Sequence, residues 1–296
     1  MSVRILESTD SYGGTNQQVV YFSKEYLASQ KHAQIFIAES DQFLLPISIQ
    51  GSLAISISRS PFGSLFIKKN YTQSEFKTFM ESVVNSLKQL KVEKIQLKHP
   101  PAIYGNFSNV SDLTSSGFKI LYKDINQHIS LAETWESSIH AMQKRKLRTL
   151  LEEGFSFQQT DDFETAYKFI NVCRQTQGLQ VNIGWDHLHS LIEGLPGKYQ
   201  CFTVQREDKL SAVCIAVQAT PEVAYYYLPA TSPLFRSHSP MVLLIAGMVN
   251  YYRSQGFKYL DLGVSSLEGR PQETLQLFKE RMGGEVNKKP FLELSL

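Results

Sequence analysis

The segment of residues 223–263 limits what this chain can fold into more than any other part of the sequence. It contains a strand pattern at Val223–Leu228, a polar loop, an apolar helix pattern at Pro240–Gln255 and a second strand pattern at Tyr259–Gly263. Strands and helices that alternate in this way build a layered fold in which helices cover a sheet. We therefore predict a mixed α/β protein whose sheets are flanked by helices.

The alternation of strands and helices runs through the whole chain of 296 residues. That length suits two domains, because domains cluster near about 100–150 residues. The simplest division gives two mixed α/β halves, residues 1–127 and residues 128–296. The helix patterns include Thr15–Ala28 in the first half and Trp135–Glu152 in the second.

Composition excludes several classes of protein. The 30 basic residues nearly balance the 28 acidic ones, whereas a dedicated nucleic-acid-binding domain is strongly basic. The three cysteines are widely spaced, which argues against a disulfide framework and for a reducing compartment. No stretch approaches the roughly 20 apolar residues of a membrane span, and the first residues lack the apolar run of a signal peptide. We expect a cytoplasmic protein.

The loop before the apolar helix carries candidate anion-binding residues. Ser239 followed by Pro240 is a favoured helix start. The first turn of a helix leaves backbone N–H groups free and has a positive dipole potential, which suits a phosphate or pyrophosphate. Side chains of Arg236, His238 and Ser239 would add hydrogen-bond donors. A well-capped helix without a ligand is the alternative interpretation of the same residues.

A basic helix is predicted near the start of the second half. Lys144, Arg145 and Arg148 share one arc of this helix, and Lys146 falls inside the opposite apolar arc, where it must snorkel or find an anionic partner. The apolar arc comprises Ile139, Met142, Leu147, Leu150 and Leu151. Because arginine binds phosphates and carboxylates in bidentate fashion, Arg145 and Arg148 are candidate substrate-binding residues. A solvated amphipathic helix is the alternative.

Three further residues are candidates for chemistry. Asp261, in a Tyr-Leu-Asp-Leu-Gly run, could deprotonate or orient an incoming ammonium, or bond a neighbouring loop. Lys279 could offset charge on phosphates or on a developing oxyanion, or be an exposed lysine. Tyr227 could line an acceptor site, or simply pack. No metal site is predicted, since His187 and His189 are spaced i, i+2 and diverge on a helix.

The order of these motifs resembles the GNAT acyltransferases. In that family a loop of the pattern Q/R-x-x-G-x-G/A precedes the helix, and this chain has Arg236 at its start, with Ser239 and Met241 in place of the two glycines. The resemblance implies that the strands at Val223–Leu228 and Tyr259–Gly263 splay apart and hold an acyl donor between them. Donor binding would then involve Leu228, Arg236, His238, Ser239 and Gly263.

Other segments resemble the two-domain FemAB-type branch of this superfamily. These proteins often carry a basic helix of the form S…R-x-x-R-x…E-x-G, which corresponds here to residues 138–154. They tend to close with Asp-x-Gly and then Phe-Lys-x-x-Phe-Gly-Gly, which correspond to residues 261–263 and 278–284, with Met282 in place of the second Phe. The resemblance implies two GNAT-like domains, the first of them degenerate, each with a mixed, largely antiparallel sheet flanked by helices.

The resemblance implies N-acyl transfer. The donor would be acyl-coenzyme A or aminoacyl-tRNA, used as a co-substrate rather than held as a cofactor, and the acceptor a small amine or a cell-envelope precursor. Asp261 and Lys279 are then the candidate catalytic residues, and Arg145, Arg148 and Tyr227 would bind substrate. Near-neutral charge argues against extensive nucleic-acid contact but leaves the end of a tRNA as a partner. The alternative is a non-catalytic GNAT-like module that binds an anionic glycan or nucleotide.

Overall fold

The structure is a computed structural model that describes residues 3–6, 9, 12–13, 18–30, 34–132 and 134–296. The chain forms two compact units. Unit 1 consists of residues 1–125, 267–270 and 288–296, and unit 2 consists of residues 126–266 and 271–287. Each unit contains a mostly antiparallel sheet with helices packed on it, which confirms the predicted fold class.

Strands and helices alternate through the first part of the chain. They are β1 (Arg4–Leu6), α1 (Lys24–Ala28), β2 (Gln34–Glu39), β3 (Phe43–Gln50), β4 (Leu53–Ser56), β5 (Phe66–Ile67), α2 (Gln73–Gln89), β6 (Lys94–Lys98), α3 (Val110–Ser115) and β7 (Lys119–Ser130). Short 3₁₀ helices lie at Val20–Phe22 and Ala102–Tyr104.

The same alternation continues to the C-terminus. The elements are α4 (Trp135–Ser138), α5 (Ala141–Glu152), β8 (Ser156–Thr160), α6 (Phe163–Gln175), α7 (Trp185–Gly194), β9 (Tyr199–Arg206), β10 (Lys209–Gln218), β11 (Val223–Thr231), α8 (Met241–Ser254), β12 (Tyr259–Val264), β13 (Ser266–Leu267), β14 (Arg270–Pro271), α9 (Glu273–Arg281) and β15 (Glu285–Ser295). A 3₁₀ helix at Pro233–His238 joins β11 to α8.

Unit 1 is built on the strand order β1-β2-β3-β4-β6, followed by the C-terminal part of β15. Strands β4 and β6 run parallel, whereas the other neighbours run antiparallel. Helix α2 begins with a reciprocal capping box between Thr72 and Glu75, which satisfies backbone N–H groups at the helix start. Its apolar face packs into the core of the unit through Phe76, Phe79, Met80, Val83 and Leu87.

Unit 2 has the strand order β7-β12-β11-β10-β9-β8, in which β11 and β12 run parallel and the other neighbours run antiparallel. Helix α8 is apolar on nearly all sides and is a central part of the core, as expected for a helix covered all round. The helix approaches β8 closely at Gly247, where an added Cβ would lie 2.3 Å from the Phe157 ring.

The prediction of one helix over Trp135–Glu152 is wrong, because the chain breaks between α4 and α5. Ile139 and His140 are extended, with ψ angles of 130° and 141°. The His140 N–H donates to the Arg281 carbonyl, and its ring accepts the Met142 N–H, so this residue caps α5. A side chain that caps the next helix favours the extended conformation that ends the one before it.

The helix predicted at Thr15–Ala28 is also shorter in the structure. Residues 14–17 lie outside the described part of the chain. Between residues 18 and 28 the structure shows the 3₁₀ helix Val20–Phe22 and then α1, separated by an extended Ser23 whose side chain accepts from the Tyr26 N–H. The serine therefore starts a new helix rather than continuing one.

Candidate active site

Strands β11 and β12 pair along only part of their length in the described structure. Their partners run from Val223↔Tyr259 to Tyr225↔Asp261, although β11 continues to Thr231 and β12 to Val264. The two strands therefore part after the third pair and leave a wedge between them. This is the separation that the resemblance to GNAT proteins led us to expect.

A β-bulge in each strand lies next to the point where they part. The register of β11 against β10 shifts between Tyr225 and Leu228, and that of β12 against β7 shifts between Asp261 and Gly263. A bulge adds a residue to one strand, bends it and increases its twist. Gly263 has a φ of +74°, a backbone conformation that glycine adopts without strain. The two bulges thus account for the divergence of the strands.

The wedge opens into a cavity of about 360 Å³, which we call the wedge cavity. Its walls come from β11, β12, α6, α8 and α9 and are largely apolar. Its polar and charged lining residues are Arg174, Gln177, Thr231, Arg236, Ser239 and Lys279. An apolar cavity with a few convergent polar groups is the usual form of a small-molecule site.

Lys279 reaches the wedge cavity from α9 and is 5% exposed, so it is not the surface lysine of the alternative interpretation. Its Nζ donates to the carbonyl oxygens of Gly263 and Val264, each at 2.9 Å. Burial lowers the pKa of this ammonium to about 8, against the opposing effect of the Asp261 charge. Two N–H bonds of the ammonium are therefore held by β12, and a third is left for another acceptor.

Asp261 is 2% exposed and lies next to the wedge rather than in its cavity. Its Oδ1 accepts hydrogen bonds from Asn126 Nδ2 and from the Gly263 N–H, each at 2.8 Å. Asp261 is the register partner of Tyr225 on β11, and partners on neighbouring strands share a face of the sheet, so the carboxylate lies on the face of Tyr225. This carboxylate ties the β12 bulge to β7.

The tyrosines of β11 divide between the two faces of the sheet. Tyr226 lines the wedge cavity, and its hydroxyl contacts Met241 Sδ at 3.0 Å. Tyr225 and Tyr227 lie on the other face with ring centroids 6.2 Å apart. The candidate substrate residue Tyr227 is therefore on the same face as Asp261 and away from the wedge cavity.

Ser239 does not start α8 in the predicted way. It has a left-handed conformation, φ 59° and ψ 52°, and α8 begins at Met241 after Pro240. Its hydroxyl accepts a 2.9 Å hydrogen bond from Lys146 Nζ rather than capping the helix. Its carbonyl accepts the Val242 N–H. The left-handed conformation favours glycine, which is the residue of the GNAT loop pattern at this position.

A second cavity, of about 520 Å³, lies between α5 and the 3₁₀ helix Pro233–His238, and we call it the rim cavity. Arg145, Lys146 and His238 line it, but Arg148 is not among the described residues that line either cavity. Leu151 is 56% exposed, so its assignment to the apolar arc is wrong. The apolar face of α5 is narrower than predicted, and Leu150 is its fully buried member.

The sequence analysis did not identify two polar residues near the wedge. Arg174 on α6 lines the wedge cavity and donates from Nη2 to the Pro229 carbonyl at 3.2 Å. In the sequence, Arg174 is marked only by its position directly after Cys173, which is buried in the structure. Asn126 carries no recognisable motif. Leu228, a candidate for donor binding, is 7% exposed, and its neighbours Pro229–Thr231 line the wedge cavity instead.

In the part of the chain that the structure describes there is no group of three or more histidine, cysteine, aspartate or glutamate residues that could hold a metal ion. None of the helices described is long and apolar enough to cross a membrane.

Parallel strands that part around a cavity, with a loop and a helix start beside it, are the arrangement that the resemblance to GNAT proteins led us to expect. Residues 137–269 match the family model described as the acetyltransferase (GNAT) domain. Residues 137–269 are therefore similar to a GNAT acetyltransferase domain, and the fold of the chain is similar to that of FemX. No curated protein sequence matches the chain significantly.

Solved structures with a similar fold cover nearly the whole chain. FemX has 13% sequence identity and a TM-score of 0.65, covering 97% of this chain and 94% of its own. L-PGS from Bacillus licheniformis has 10% identity and a TM-score of 0.64, with coverages of 92% and 86%. A tandem GNAT protein from the clavulanic acid biosynthesis pathway has 9% identity and a TM-score of 0.55, with coverages of 99% and 98%. At these identities the likeness is one of fold.

Proposed function

We propose that the protein transfers an acyl or aminoacyl group from acyl-coenzyme A or aminoacyl-tRNA to an amine. The observation that carries this proposal is the wedge cavity between β11 and β12, whose lining includes the buried residue Lys279. Strand edges that do not pair with each other leave backbone N–H and C=O groups for a ligand in the wedge. A donor held there would present its carbonyl to a fixed positive charge.

The proposed reaction is a direct attack that needs no covalent enzyme intermediate. The amine lone pair forms a C–N bond to the donor carbonyl carbon, and the carbonyl oxygen becomes an oxyanion. When the C=O bond re-forms, the C–S bond of the thioester or the C–O bond of the ester breaks, and the proton lost by the nitrogen neutralises the leaving thiolate or alkoxide. The contribution of the protein is to position the two reactants and to stabilise the oxyanion.

Lys279 is the residue that we assign to the oxyanion. Two of its N–H groups donate to carbonyls of β12 at 2.9 Å, which fixes the ammonium, and the residue lines the wedge cavity. A preorganised donor in a largely apolar cavity stabilises developing charge more strongly than the same group in water.

Asp261 contributes to this arrangement as a positioning residue. Its carboxylate accepts the Gly263 N–H, and the carbonyl of the same glycine accepts from Lys279. Through this glycine, the carboxylate and the ammonium hold the bulge from both sides. Because the carboxylate is negatively charged, orientation of an incoming ammonium is a second role that we propose for Asp261.

Different observations favour the two donors and the acceptor class. The description of the matching family as an acetyltransferase favours acyl-coenzyme A, which is also the type of donor named for the tandem GNAT structure. The replacement of both loop glycines by Ser239 and Met241 favours aminoacyl-tRNA, because a side chain limits the approach of a pyrophosphate to the backbone. The similarity of fold to FemX motivates a cell-envelope precursor as acceptor, beside small amines.

The test is a transfer assay on the full chain with each donor. Acetyl-coenzyme A and a charged tRNA would be incubated with a panel of amines, and thiol release or transfer of a labelled aminoacyl group measured. We expect transfer from one donor, and a loss of about 100-fold or more in Lys279→Met, in line with the removal of one oxyanion donor.

The control is Lys288→Met, which removes the same charge from an exposed position on β15. Thermal unfolding of both variants would show whether the fold is kept. Binding of a donor, nucleotide or anionic glycan without any transfer across the panel would contradict the proposal and favour the non-catalytic binding module.

A further inference from the structure

The inner end of the wedge cavity lies where β11 and β12 part. Tyr226 and Leu262 directly follow the last paired residues of the two strands, and both line the cavity. Lys279, whose Nζ donates to the Gly263 carbonyl at 2.9 Å, lines the same cavity. A donor carbonyl held by this ammonium would therefore lie near the inner end, and its acyl chain would pack against that end.

The Met241 side chain reaches the inner end from α8. Met241 is the first residue of this helix and lines the cavity, and its Sδ lies 3.0 Å from the Tyr226 hydroxyl. Methionine is unbranched and flexible, so it fills irregular space and adapts to what packs against it. The thioether therefore occupies space next to the inner end, in a side chain that can take other conformations.

The Tyr226 hydroxyl holds the thioether in this place. Tyr226 is 9% exposed, and in the described part of the chain its hydroxyl makes one hydrogen bond, the one to Met241 Sδ. A buried hydroxyl that loses its partner is costly, so this bond favours the conformation in which the thioether contacts the tyrosine. A thioether is a weak acceptor, so the conformation is favoured without being fixed.

The size and the walls of the wedge cavity limit the acyl group that it can hold. Its volume of about 360 Å³ lies near the lower limit for small-molecule pockets, and its walls are largely apolar. Each methylene group that is buried against apolar walls tightens binding by about fourfold. A longer acyl chain would therefore bind more tightly if the inner end were open, and the Met241 side chain takes up that space.

We infer that Met241 determines the length of the acyl group that the wedge cavity accepts, and that Tyr226 is a positioning residue that keeps the thioether at the inner end. The inference rests on the proposed function, because it concerns the acyl part of the donor. It narrows the substrate class: a group as short as acetyl binds, and long unbranched chains are excluded. The same limit applies to an acyl group on coenzyme A and to one on tRNA.

The experiment measures the binding of two thioesters, S-acetyl- and S-hexanoyl-N-acetylcysteamine, by isothermal titration. These probes carry no nucleotide and present the acyl end of a donor by itself. We expect the wild-type protein to bind the acetyl probe about tenfold or more tightly than the hexanoyl probe, because the longer chain overpacks the inner end. Met241→Ala should reverse this preference, with the hexanoyl probe tighter by about fourfold or more, because its methylene groups then replace the missing side chain.

Three further variants separate the roles of the two residues. Met241→Leu keeps the volume of the side chain and should keep the wild-type preference. Tyr226→Phe should reduce the preference by about threefold and should have no effect in the Met241→Ala background, because the hydroxyl acts through the thioether. Met142→Ala is the matched control and should change nothing, since this partly buried methionine of α5 is not among the described residues that line the wedge cavity.

The ratio of the two dissociation constants is the readout, since a general loss of structure would weaken both probes alike. No binding of either probe by the wild-type protein, a wild-type preference for the hexanoyl probe, or an unchanged ratio in Met241→Ala would overturn the inference. The inference and the proposed function fail separately. A ratio that depends on Met241 without any transfer would keep the length limit and remove the enzyme, whereas transfer with an unchanged ratio would do the reverse.

Discussion

Lys279 is buried and its ammonium contacts two carbonyl oxygens, so its protonation state should affect how turnover depends on pH. Burial lowers its pKa to about 8, so the ammonium form is lost as the pH rises through that value. Because oxyanion stabilisation requires the charged form, we expect kcat/KM to fall above about pH 8. Lys279→Arg should retain its charge and lack this decline, because a guanidinium stays protonated. A decline above pH 8 that persists in Lys279→Arg would contradict this assignment, because the arginine does not lose its charge there.

Ser239 has a conformation that L-amino acids adopt at a cost. Its φ of 59° is left-handed, and its hydroxyl accepts from Lys146. Ser239→Gly and Ser239→Ala both remove the hydroxyl, but only glycine relieves the backbone. We expect the glycine variant to be the more stable by roughly 1 kcal/mol in urea unfolding. Equal stabilities would mean that the loop relaxes when the hydroxyl is removed.

At the level of single residues, the sequence offers candidates for the site but does not predict their surroundings. Asp261 and Lys279 follow from their place in a family motif, but their burial does not, because it depends on which strand lies beside β12. The Asn126 amide reaches Asp261 from 135 positions earlier in the chain. Hydrophobic periodicity reports local structure and not contacts between residues far apart in the chain. Asn126 and Arg174 therefore could not be predicted from the sequence.

Helix α8 gives a test of packing at the level of one element. Gly247 lies within α8, and an added Cβ would come within 2.3 Å of the Phe157 ring. Gly194 ends α7, and a Cβ there would meet nothing within 4 Å. We expect Gly247→Ala to destabilise the protein by about 1–3 kcal/mol through overpacking. Gly194→Ala should be neutral or stabilising by up to about 1 kcal/mol, because alanine has the higher helix propensity.

Denaturant midpoints of the two alanine variants would provide the comparison. A stabilised Gly247→Ala protein would show that Phe157 moves aside without cost, and that α8 does not depend on this close approach.

The sequence predicts those strands and helices whose hydrophobic residues repeat at a regular spacing. It does not predict bulges or helix breaks, which depend on individual hydrogen bonds. The pattern predicts β11 and β12 as strands, but their bulges carry no signal, since Tyr225–Tyr227 looks the same with or without an extra residue in the register. The break before α5 depends on His140, which caps the helix with its ring. Histidine is not a usual residue for that role, so the continuous pattern from Trp135 to Glu152 concealed the break.

At the level of the molecule, unit 1 contains the same arrangement as unit 2: two parallel strands, here β4 and β6, with a helix between them in sequence. In unit 1, however, the space beyond the paired residues of the two strands is occupied by the chain itself. Strands β4 and β6 pair from Leu53↔Lys94 to Ile55↔Gln96. Beyond that point the backbone of Gly63 bridges Lys98, and the Ser56 hydroxyl donates to the Gly63 carbonyl and accepts the Lys98 N–H. The segment that reaches Gly63 thus takes the place that the wedge cavity has in unit 2.

This difference predicts one donor per chain. We expect titration with coenzyme A, or with deacylated tRNA if that is the donor, to give a stoichiometry near one for the full chain. The physical reason is that a ligand in unit 1 would have to displace backbone and buried serine hydrogen bonds that the chain already makes. A stoichiometry of two would show that the Gly63 segment leaves its place.

Because β11 and β12 separate, hydrogen–deuterium exchange of their amides can report whether a ligand occupies the wedge cavity. Amides of the paired stretch, up to Tyr225 and Asp261, are held between strands and should take up deuterium slowly at all times. Farther along, the amides of β11 that face the wedge are shielded by whatever molecule lies there. Slower deuterium uptake in residues 226–231 would therefore report the arrival of a ligand by mass spectrometry, with neither a label nor a chemical reaction.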